Sequence, residues 1–229
     1  MAKSESPKVY RVVLSEQIKE QIMEDIFHHK YKPGDKLVES ALARDFNVSQ
    51  TSVREALRSL IAMGFLESEP FKGITVRSLT KEDLIEVYTV RGALESLAAT
   101  IAVTRITDEE IAELESICDQ MIDAGVSGET QKRIRLNIDF HEKLIEFSGN
   151  KLIMKLFTNL QFESWSMMTG NLSTMDPVEM ATRHKKVIAA LKSRDKELVG
   201  KAMREHIETG TKPILDTLAE DYDQQESGK

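Results

Sequence analysis

Three histidines lie far apart in the chain, each in the middle of a helical pattern: His141, His184 and His206. Three imidazoles that converge from different helices would form an ordinary site for Zn²⁺ or a similar divalent ion. Asn137 lies four residues before His141, so both side chains fall on one face of one helix. The spacing leaves open the alternative that each histidine is simply a hydrogen-bonded core or surface residue.

A second set of polar side chains lies on a short helix and a hairpin near the N-terminus. Hydroxyl groups suit phosphate contacts, and amide or guanidinium groups suit the edges of bases. The set comprises Ser49, Gln50, Thr51, Ser52, Arg54 and Arg58 on helix positions that the apolar stripe does not use, with Lys72 and Gly73 at the hairpin tip. The alternative is a helix face that is only polar and solvated.

The elements that carry this second set follow one another in a recognisable order. Apolar residues at four-residue spacing predict a first helix over 14–26, and two shorter helices follow over about 39–46 and 50–63. Two strands, 65–67 and 74–77, surround a turn that contains Pro70 and Gly73. The predicted buried face of the third helix comprises Val53, Ala56, Leu57, Leu60 and Ile61. Helix, helix, turn, helix and hairpin together predict a winged helix-turn-helix.

From Leu79 onward the pattern is helical almost throughout, which predicts an all-helical bundle. After a first long helix and one that follows Thr107, we expect helices over about 131–147, 151–168, 177–191 and 195–208, and a last one to 219. The fold class is therefore mainly α. We expect a winged helix-turn-helix domain over 8–78, an effector-binding and dimerisation bundle over 79–222, and a polar tail over 223–229.

Composition and charge exclude several classes of protein. The chain has 229 residues, of which 41% are hydrophobic, and its longest apolar runs are far shorter than a membrane span. A single cysteine, Cys118, forms no internal disulfide and fits a reducing cytoplasm, and the N-terminus shows no secretory signal. Of the net charge of −7, residues 1–80 contribute +1 and the remainder −8, so a polyanionic partner would meet only the N-terminal part.

The N-terminal segment resembles the DNA-binding domain of the GntR family of bacterial transcription regulators. The resemblance is carried by Tyr31-Lys-Pro-Gly-Asp-Lys-Leu37, Glu39-Ser-Ala-Leu-Ala43 and Val48-Ser-Gln-Thr-Ser-Val-Arg-Glu-Ala-Leu57, and it covers about residues 10–78. It implies DNA contacts from the hydroxyl residues and the arginine of the third helix: Ser49, Thr51, Ser52 and Arg54. Gln50 stands where relatives often have arginine, which would shift a preference for guanine toward adenine.

The remainder resembles the FCD effector domain of the FadR-type subgroup of that family. Asn137-Ile-Asp-Phe-His141 with Ser148-Gly-Asn150, and the later Arg183-His184 and His206 segments, carry this resemblance over about residues 80–220. It implies that Asn137, His141, His184 and His206 bind a divalent metal, with asparagine where many relatives have aspartate. Arg91 stands where such domains often have an arginine near the effector; its alternative is a surface pair with Glu95.

The sequence thus predicts a cytoplasmic, homodimeric transcription regulator, by family habit a repressor. It would bind a double-stranded DNA operator and a small organic acid, with zinc as the expected divalent metal and with no membrane contact. Two other hypotheses stay open at this point. One is a metal-dependent hydrolase that uses the three histidines, and the other is a helical module whose winged helix binds protein.

Overall fold

The computed structural model describes the chain over residues 8–170 and 172–227, and the surroundings of side chains over 14–170 and 172–218. The chain divides into two compact units, one up to Leu79 and the other from Thr80 onward. None of the helices in these ranges is both long enough and apolar enough to span a bilayer.

The described part of the N-terminal unit contains three helices and three strands: α1 (Lys8–Phe27), β1 (Lys36–Leu37), α2 (Glu39–Asp45), α3 (Gln50–Ala62), β2 (Leu66–Glu69) and β3 (Gly73–Val76). The strands form a small antiparallel sheet in the order β1-β3-β2. The winged helix-turn-helix prediction is confirmed. Ile22, Val53, Leu57 and Leu60 are fully buried between α1 and α3, whereas Ile61, predicted in this core, is only half-buried.

Strand β1 is absent from the sequence prediction. Lys36 pairs with Thr75 and Leu37 with Ile74, which adds a third strand to the predicted hairpin. Two residues are too short to show the alternating pattern by which a strand is recognised, so this strand is defined by its pairing alone.

Local interactions define where helix α3 begins and ends. Ser49 is the N-cap, and its Oγ accepts a hydrogen bond from the backbone N–H of Ser52 at 3.2 Å. Beyond the helix, Gly64 has a φ of +83°, which lets the chain reverse into β2. The surface between these ends therefore has a fixed orientation on the N-terminal unit.

The C-terminal unit is entirely helical, as predicted. Its helices are α4 (Lys81–Ala102), α5 (Asp108–Val126), α6 (Thr130–Phe147), α7 (Lys151–Asn159), α8 (Phe162–Thr169), α9 (Pro177–Thr182), α10 (His184–Lys192) and α11 (Lys196–Ser227). Thr80 and Thr107 begin α4 and α5 with reciprocal capping boxes. Asp176 caps α9 through hydrogen bonds from two backbone N–H groups, and Pro177 takes the first helical position.

Three predicted helix boundaries are wrong. The helix expected over 151–168 is broken at Gln161, which has a φ of +55°, and the helix expected over 177–191 is broken at Arg183. The two helices expected after residue 195 form the single helix α11, which continues through Pro213 and includes most of the predicted polar tail; residues 228–229 lie outside the described range. Packing along α4 compensates for the one backbone hydrogen bond that proline removes.

Helices α4 and α11 approach each other closely where small residues meet. Ser96 Oγ donates a hydrogen bond to the Gly200 carbonyl at 2.8 Å. A Cβ atom on Gly200 would lie 2.7 Å from Thr100 Oγ1, so only glycine fits there without displacement. This contact fixes the rotation of α11, and with it the direction in which His206 projects.

Candidate functional site

The three histidines predicted from the sequence converge in the C-terminal unit. His141 comes from α6, His184 begins α10, and His206 comes from α11. All three are buried, and their ring centroids lie 4.3–5.5 Å apart. One potential ligand atom from each ring lies within 4.8 Å of the others. The helices thus bring together three histidines that lie far apart in the sequence.

Hydrogen bonds determine which ring nitrogens remain free. His141 Nδ1 donates to the Glu95 carboxylate, and His184 Nδ1 donates to the Ala181 carbonyl at 2.9 Å. Nε2 of His184 and Nδ1 of His206 are buried and have no hydrogen-bond partner among the described residues. A buried polar atom without a partner is costly, and a divalent ion bound by imidazole nitrogens would satisfy both atoms.

The protonation states suit metal binding. Burial lowers the pKa of His184 and of His206 well below the ordinary value, and the neighbouring histidines lower it further. Burial also lowers the pKa of His141, although the Glu95 carboxylate opposes this effect. The rings are therefore neutral near pH 7, the state in which imidazole nitrogen binds a metal.

Glu95 connects the cluster to Arg91. The Arg91 Nε donates to one oxygen of Glu95, while His141 occupies the other. Burial raises the pKa of Glu95, but the charge of Arg91, together with the interactions with His141, outweighs it and lowers the pKa overall. The Arg91–Glu95 pair that the sequence allows is thus present, but the expectation of a surface pair is wrong because both side chains are buried.

A cavity of about 70 Å³ opens beside the cluster. It is lined by all three histidines, by the predicted residues Asn137 and Arg91, and by two further arginines that the sequence reasoning missed, Arg133 and Arg183. On a scale where one water needs about 10–15 Å³, the cavity holds roughly five to seven waters or one small ligand. Its lining offers imidazole nitrogens, an amide and guanidinium groups, which are groups that bind an anion or a metal.

The missed arginines had weak signals in the sequence. Arg183 directly precedes His184, and its Nη2 donates to the His206 carbonyl at 2.6 Å and to the Thr209 hydroxyl. Arg133 lies one turn before Asn137 and two turns before His141, so a helical projection of α6 puts all three on one face. Nothing in that projection tells whether the face is buried.

In the N-terminal unit, α3 exposes most of the predicted polar set. Gln50, Thr51, Arg54 and Arg58 are exposed, and the exposed Ser49 is the N-cap. Ser52 contradicts the expectation that it lies outside the buried stripe: it is 2% exposed, and its hydroxyl lies 3.0 Å from Ser49 Oγ. Because the N3 position of α3 turns toward the protein, Ser52 supports the helix start rather than a polar surface.

Arg54 is held in place by Glu39, a partner that the sequence reasoning missed. Its Nε donates to both carboxylate oxygens at 3.1 and 3.0 Å, and its Nη2 donates to Oε2 at 2.8 Å. The hydrogen bond and the charge of Glu39 raise the pKa of Arg54. The guanidinium is therefore oriented on the surface of α3 and still retains donors for another acceptor.

The tip of the wing exposes Lys72 next to Gly73, as predicted. Lys72 Nζ forms an ion pair with Glu69 at 2.6 Å, and Gly73 has a φ of +89°, which favours glycine. The side chain of Phe71 is fully exposed between Pro70 and Lys72. The tip thus presents a cationic group and an aromatic ring to solvent.

Comparison with known protein families gives two matches that follow the two units. Residues 14–76 match the GntR family of bacterial regulatory proteins, and residues 86–209 match the FCD domain. The second match alone spans more than half of the chain.

Individual relatives agree with these matches. The HTH-type transcriptional regulator YdhC of Bacillus subtilis is 30% identical over 90% of this chain and 89% of its own length. A probable D-xylose utilization operon transcriptional repressor of Paenarthrobacter nicotinovorans is 26% identical over 88% of this chain and 89% of its own. The solved structure of McbR/YncC of E. coli shares the fold, with a TM-score of 0.71 over 91% of this chain and 98% of that one, at 24% identity.

These relatives and domains are transcription regulators and not enzymes, which removes the hydrolase hypothesis. The structure and the family matches agree. The N-terminal unit is a winged helix-turn-helix with an oriented arginine on α3, and the C-terminal unit is helical with a buried three-histidine cluster. The chain belongs to the GntR family of bacterial transcription regulators, in the FadR-type subgroup that carries an FCD domain.

Proposed function

We propose that this protein is a repressor that binds a DNA operator through its N-terminal unit and a small organic acid through its C-terminal unit. The observation that carries the proposal is the buried histidine cluster, with two unpartnered ring nitrogens, in a cavity that three arginines also line. A carboxylate matches both features, because its oxygens bind divalent ions and accept paired hydrogen bonds from guanidinium.

In the C-terminal unit, His141, His184 and His206 would hold a divalent ion, with the amide oxygen of Asn137 as a further ligand. Zinc is the proposed ion because it binds imidazole nitrogens and accepts additional oxygen ligands. When bound, it supplies a Lewis acid for one carboxylate oxygen of the effector. Glu95 orients the His141 ring, and Arg91 pairs with Glu95 at the edge of the cavity.

In the N-terminal unit, α3 would enter the major groove and the wing would lie against the sugar-phosphate backbone. The proposed DNA-contacting residues are Ser49, Gln50, Thr51, Arg54 and Arg58 on α3, with Lys72 and Gly73 on the wing. Gln50 suits adenine and Arg54 suits guanine. Ser52 is buried, so its proposed role is to support Ser49 at the helix start.

A homodimer would allow two N-terminal units to bind a palindromic operator, since protein symmetry then matches DNA symmetry. The surface of α4 supports self-association. Val90 is 46% and Leu97 is 51% exposed. Together with Leu94 and Ile101 they form an apolar seam at alternating four- and three-residue spacing, as in helix pairs.

The experiment is fluorescence anisotropy with DNA from upstream of the protein's own gene, with scrambled DNA as control, at two salt concentrations. We expect tighter binding to the upstream DNA and weaker binding at the higher salt, because bound cations release counterions from phosphate. The same titration then screens carboxylic acids with and without a chelator. A repressor predicts that an active acid releases the DNA and that chelation abolishes this release.

Other outcomes identify the part of the proposal that is wrong. Failure to bind either DNA at both salt concentrations would favour the protein-binding hypothesis for the winged helix. If the protein binds the upstream DNA but none of the acids changes this binding, the proposed operator function is supported and the proposed acid effector is contradicted. Metal analysis of the purified protein tests the ion separately: zinc at one equivalent per chain supports the site, and its absence after reconstitution contradicts it.

A further inference from the structure

Arg133 is the cavity-lining arginine whose charge has no acidic counterpart among the residues that the structure describes. Its side chain is 4% exposed, and it forms no ion pair with any residue that the structure describes. Its Nε has no hydrogen-bond partner; Nη1 contacts Met180 Sδ at 2.7 Å, and Nη2 contacts the Gly170 carbonyl at 3.5 Å. A thioether is a weak acceptor, so this guanidinium is poorly satisfied.

The other two arginines of the cavity are different. Arg91 has Glu95 as its counter-charge, and Arg183 donates to a backbone carbonyl and a hydroxyl of α11. Burial lowers the pKa of Arg133, and no acidic residue within the described part of the chain opposes this effect. Arginine nevertheless keeps its proton in proteins, so the buried charge remains. Because a buried charge is costly unless it is paired, a bound anion would stabilise it.

The position of Arg133 relative to the histidines sets the form of that anion. Arg133, Asn137 and His141 follow one another at four-residue intervals on α6 and line the same cavity. At a rise of about 1.5 Å per residue, Arg133 and His141 are separated by roughly 12 Å along the helix axis. Arg133 and the histidines therefore approach the cavity from positions two turns apart on α6, and a short ligand with an anionic group at each end can contact both.

We infer that the effector carries two anionic groups, one held at the histidine cluster and the other by Arg133. This inference rests on the proposed effector function of the same cavity. The second group is a carboxylate or a phosphoryl group, because both have paired oxygens that match the fork of guanidinium donors. Arg133 therefore selects diacids over monoacids of the same chain length.

The test compares affinities by isothermal titration calorimetry with the zinc-reconstituted protein. The probes are succinate, glutarate and adipate, the monocarboxylates of equal carbon number, and phosphonocarboxylates of matching length. We expect at least one diacid to bind about 10-fold or more tightly than its monoacid, an energy in the range of one charged hydrogen-bonded contact. Comparison of the dicarboxylate and phosphonate arms identifies the second group.

The decisive variant is Arg133→Met, with Arg135→Met as the matched control on the exposed side of the same helix. Arg133→Met is expected to reduce the affinity for the diacid to that for the monoacid, whereas Arg135→Met is expected to keep the preference. Because Arg133 is unpaired, its removal is also expected to leave the melting temperature of the ligand-free protein equal or higher. Arg133→Lys, which retains the charge but not the fork, is expected to keep part of the preference.

Equal affinity of the parent protein for monoacids and diacids overturns the inference, as does a preference that survives Arg133→Met. The outcome also separates this inference from the proposed function. If monoacids bind and diacids bind no more tightly, the proposed acid effector is supported and only the inferred role of Arg133 is contradicted. If none of the probes binds while DNA binding is intact, both the diacid and the acid effector are excluded.

Discussion

His141 donates its Nδ1 hydrogen to the Glu95 carboxylate, and the same carboxylate accepts a hydrogen bond from Arg91. A single buried acid on α4 therefore fixes the ring of a histidine on α6. With Nδ1 engaged as a donor, Nε2 is the nitrogen of His141 that is left to bind a metal. Carboxylates that hold ligand histidines in this way contribute strongly to metal affinity.

Replacement of Glu95 by glutamine tests this relationship. Glu95→Gln is expected to weaken zinc binding by about 10–100-fold, because the neutral amide orients His141 less well and no longer balances Arg91. Competition with a chromophoric chelator measures the affinity. Glu86→Gln, on the exposed face of the same helix, is the control and should match the parent protein. Parental affinity in Glu95→Gln would contradict the assigned role.

The metal-free protein should lose stability in mildly acidic solution. The pKa values of His184 and His206 are lowered in the folded state, so the unfolded chain binds more protons. Their contribution to stability is complete above the unfolded pKa of about 6.5 and is lost as the pH falls below it. Urea unfolding of chelator-treated protein at about pH 7.5 and 5.5 measures the difference. His206→Phe should reduce this dependence, and an equal free energy of unfolding at both pH values would refute it.

Arg54 should contribute to operator binding through both its charge and its orientation. Arg54→Ala is expected to weaken binding and to lower the slope of log K against log salt by up to about 1, with effector binding unchanged. Loss of both activities would instead indicate misfolding. Arg135→Ala removes one charge from the C-terminal unit and serves as the control in the same anisotropy titration.

Glu39 should act on specificity rather than on overall affinity. Glu39→Gln leaves Arg54 charged but removes the counter-charge and one of the two oxygen atoms that accept hydrogen bonds from its guanidinium. We expect the ratio of operator to scrambled-DNA affinity to fall by about 10-fold, in the range of one well-oriented base contact. Non-specific binding should rise because a negative charge is removed. An unchanged ratio would show that the ion pair does not position Arg54 for DNA.

Gly200 should be the least replaceable glycine of the α4–α11 contact. A Cβ there would meet Thr100 Oγ1 at 2.7 Å, so Gly200→Ala is expected to lower the free energy of unfolding by about 1–3 kcal/mol. Gly92→Ala is the control in the same interface. Its Cβ would meet Ile207 at an ordinary 3.7 Å, and helix propensity predicts a gain of up to about 1 kcal/mol. Urea unfolding of both variants gives the comparison.

The sequence could predict those features that rest on local patterns or on motif resemblance. The winged helix, the caps at Ser49 and Asp176 and the helical C-terminal unit follow from periodicity and turn chemistry. Features that depend on tertiary contacts could not be predicted in this way. Strand β1 exists only through pairing with β3, and α11 passes Pro213 because it packs along α4.

The same limit applies to the site. The resemblance predicted that His141, His184 and His206 share a site, but it did not reveal that Glu95 accepts a hydrogen bond from His141. Nor did it reveal that Arg133 has no acidic partner in the part of the chain that the structure describes. Ser52 shows the opposite error: its residue type fits a DNA contact, yet its position in the first turn of α3 is buried. Residue type indicates what chemistry is possible, and only packing decides which atoms are free to perform it.

The buried Arg91–Glu95 pair also restricts how the sequence can diverge. Loss of either side chain alone leaves an uncompensated charge in the interior, at a cost of about 3–5 kcal/mol, whereas joint replacement by apolar residues is often tolerated. Positions 91 and 95 should therefore vary together among functional descendants. Any lineage that replaces both must also provide His141 with a new hydrogen-bond acceptor. Positions 91, 95 and 141, on two helices, are therefore expected to covary.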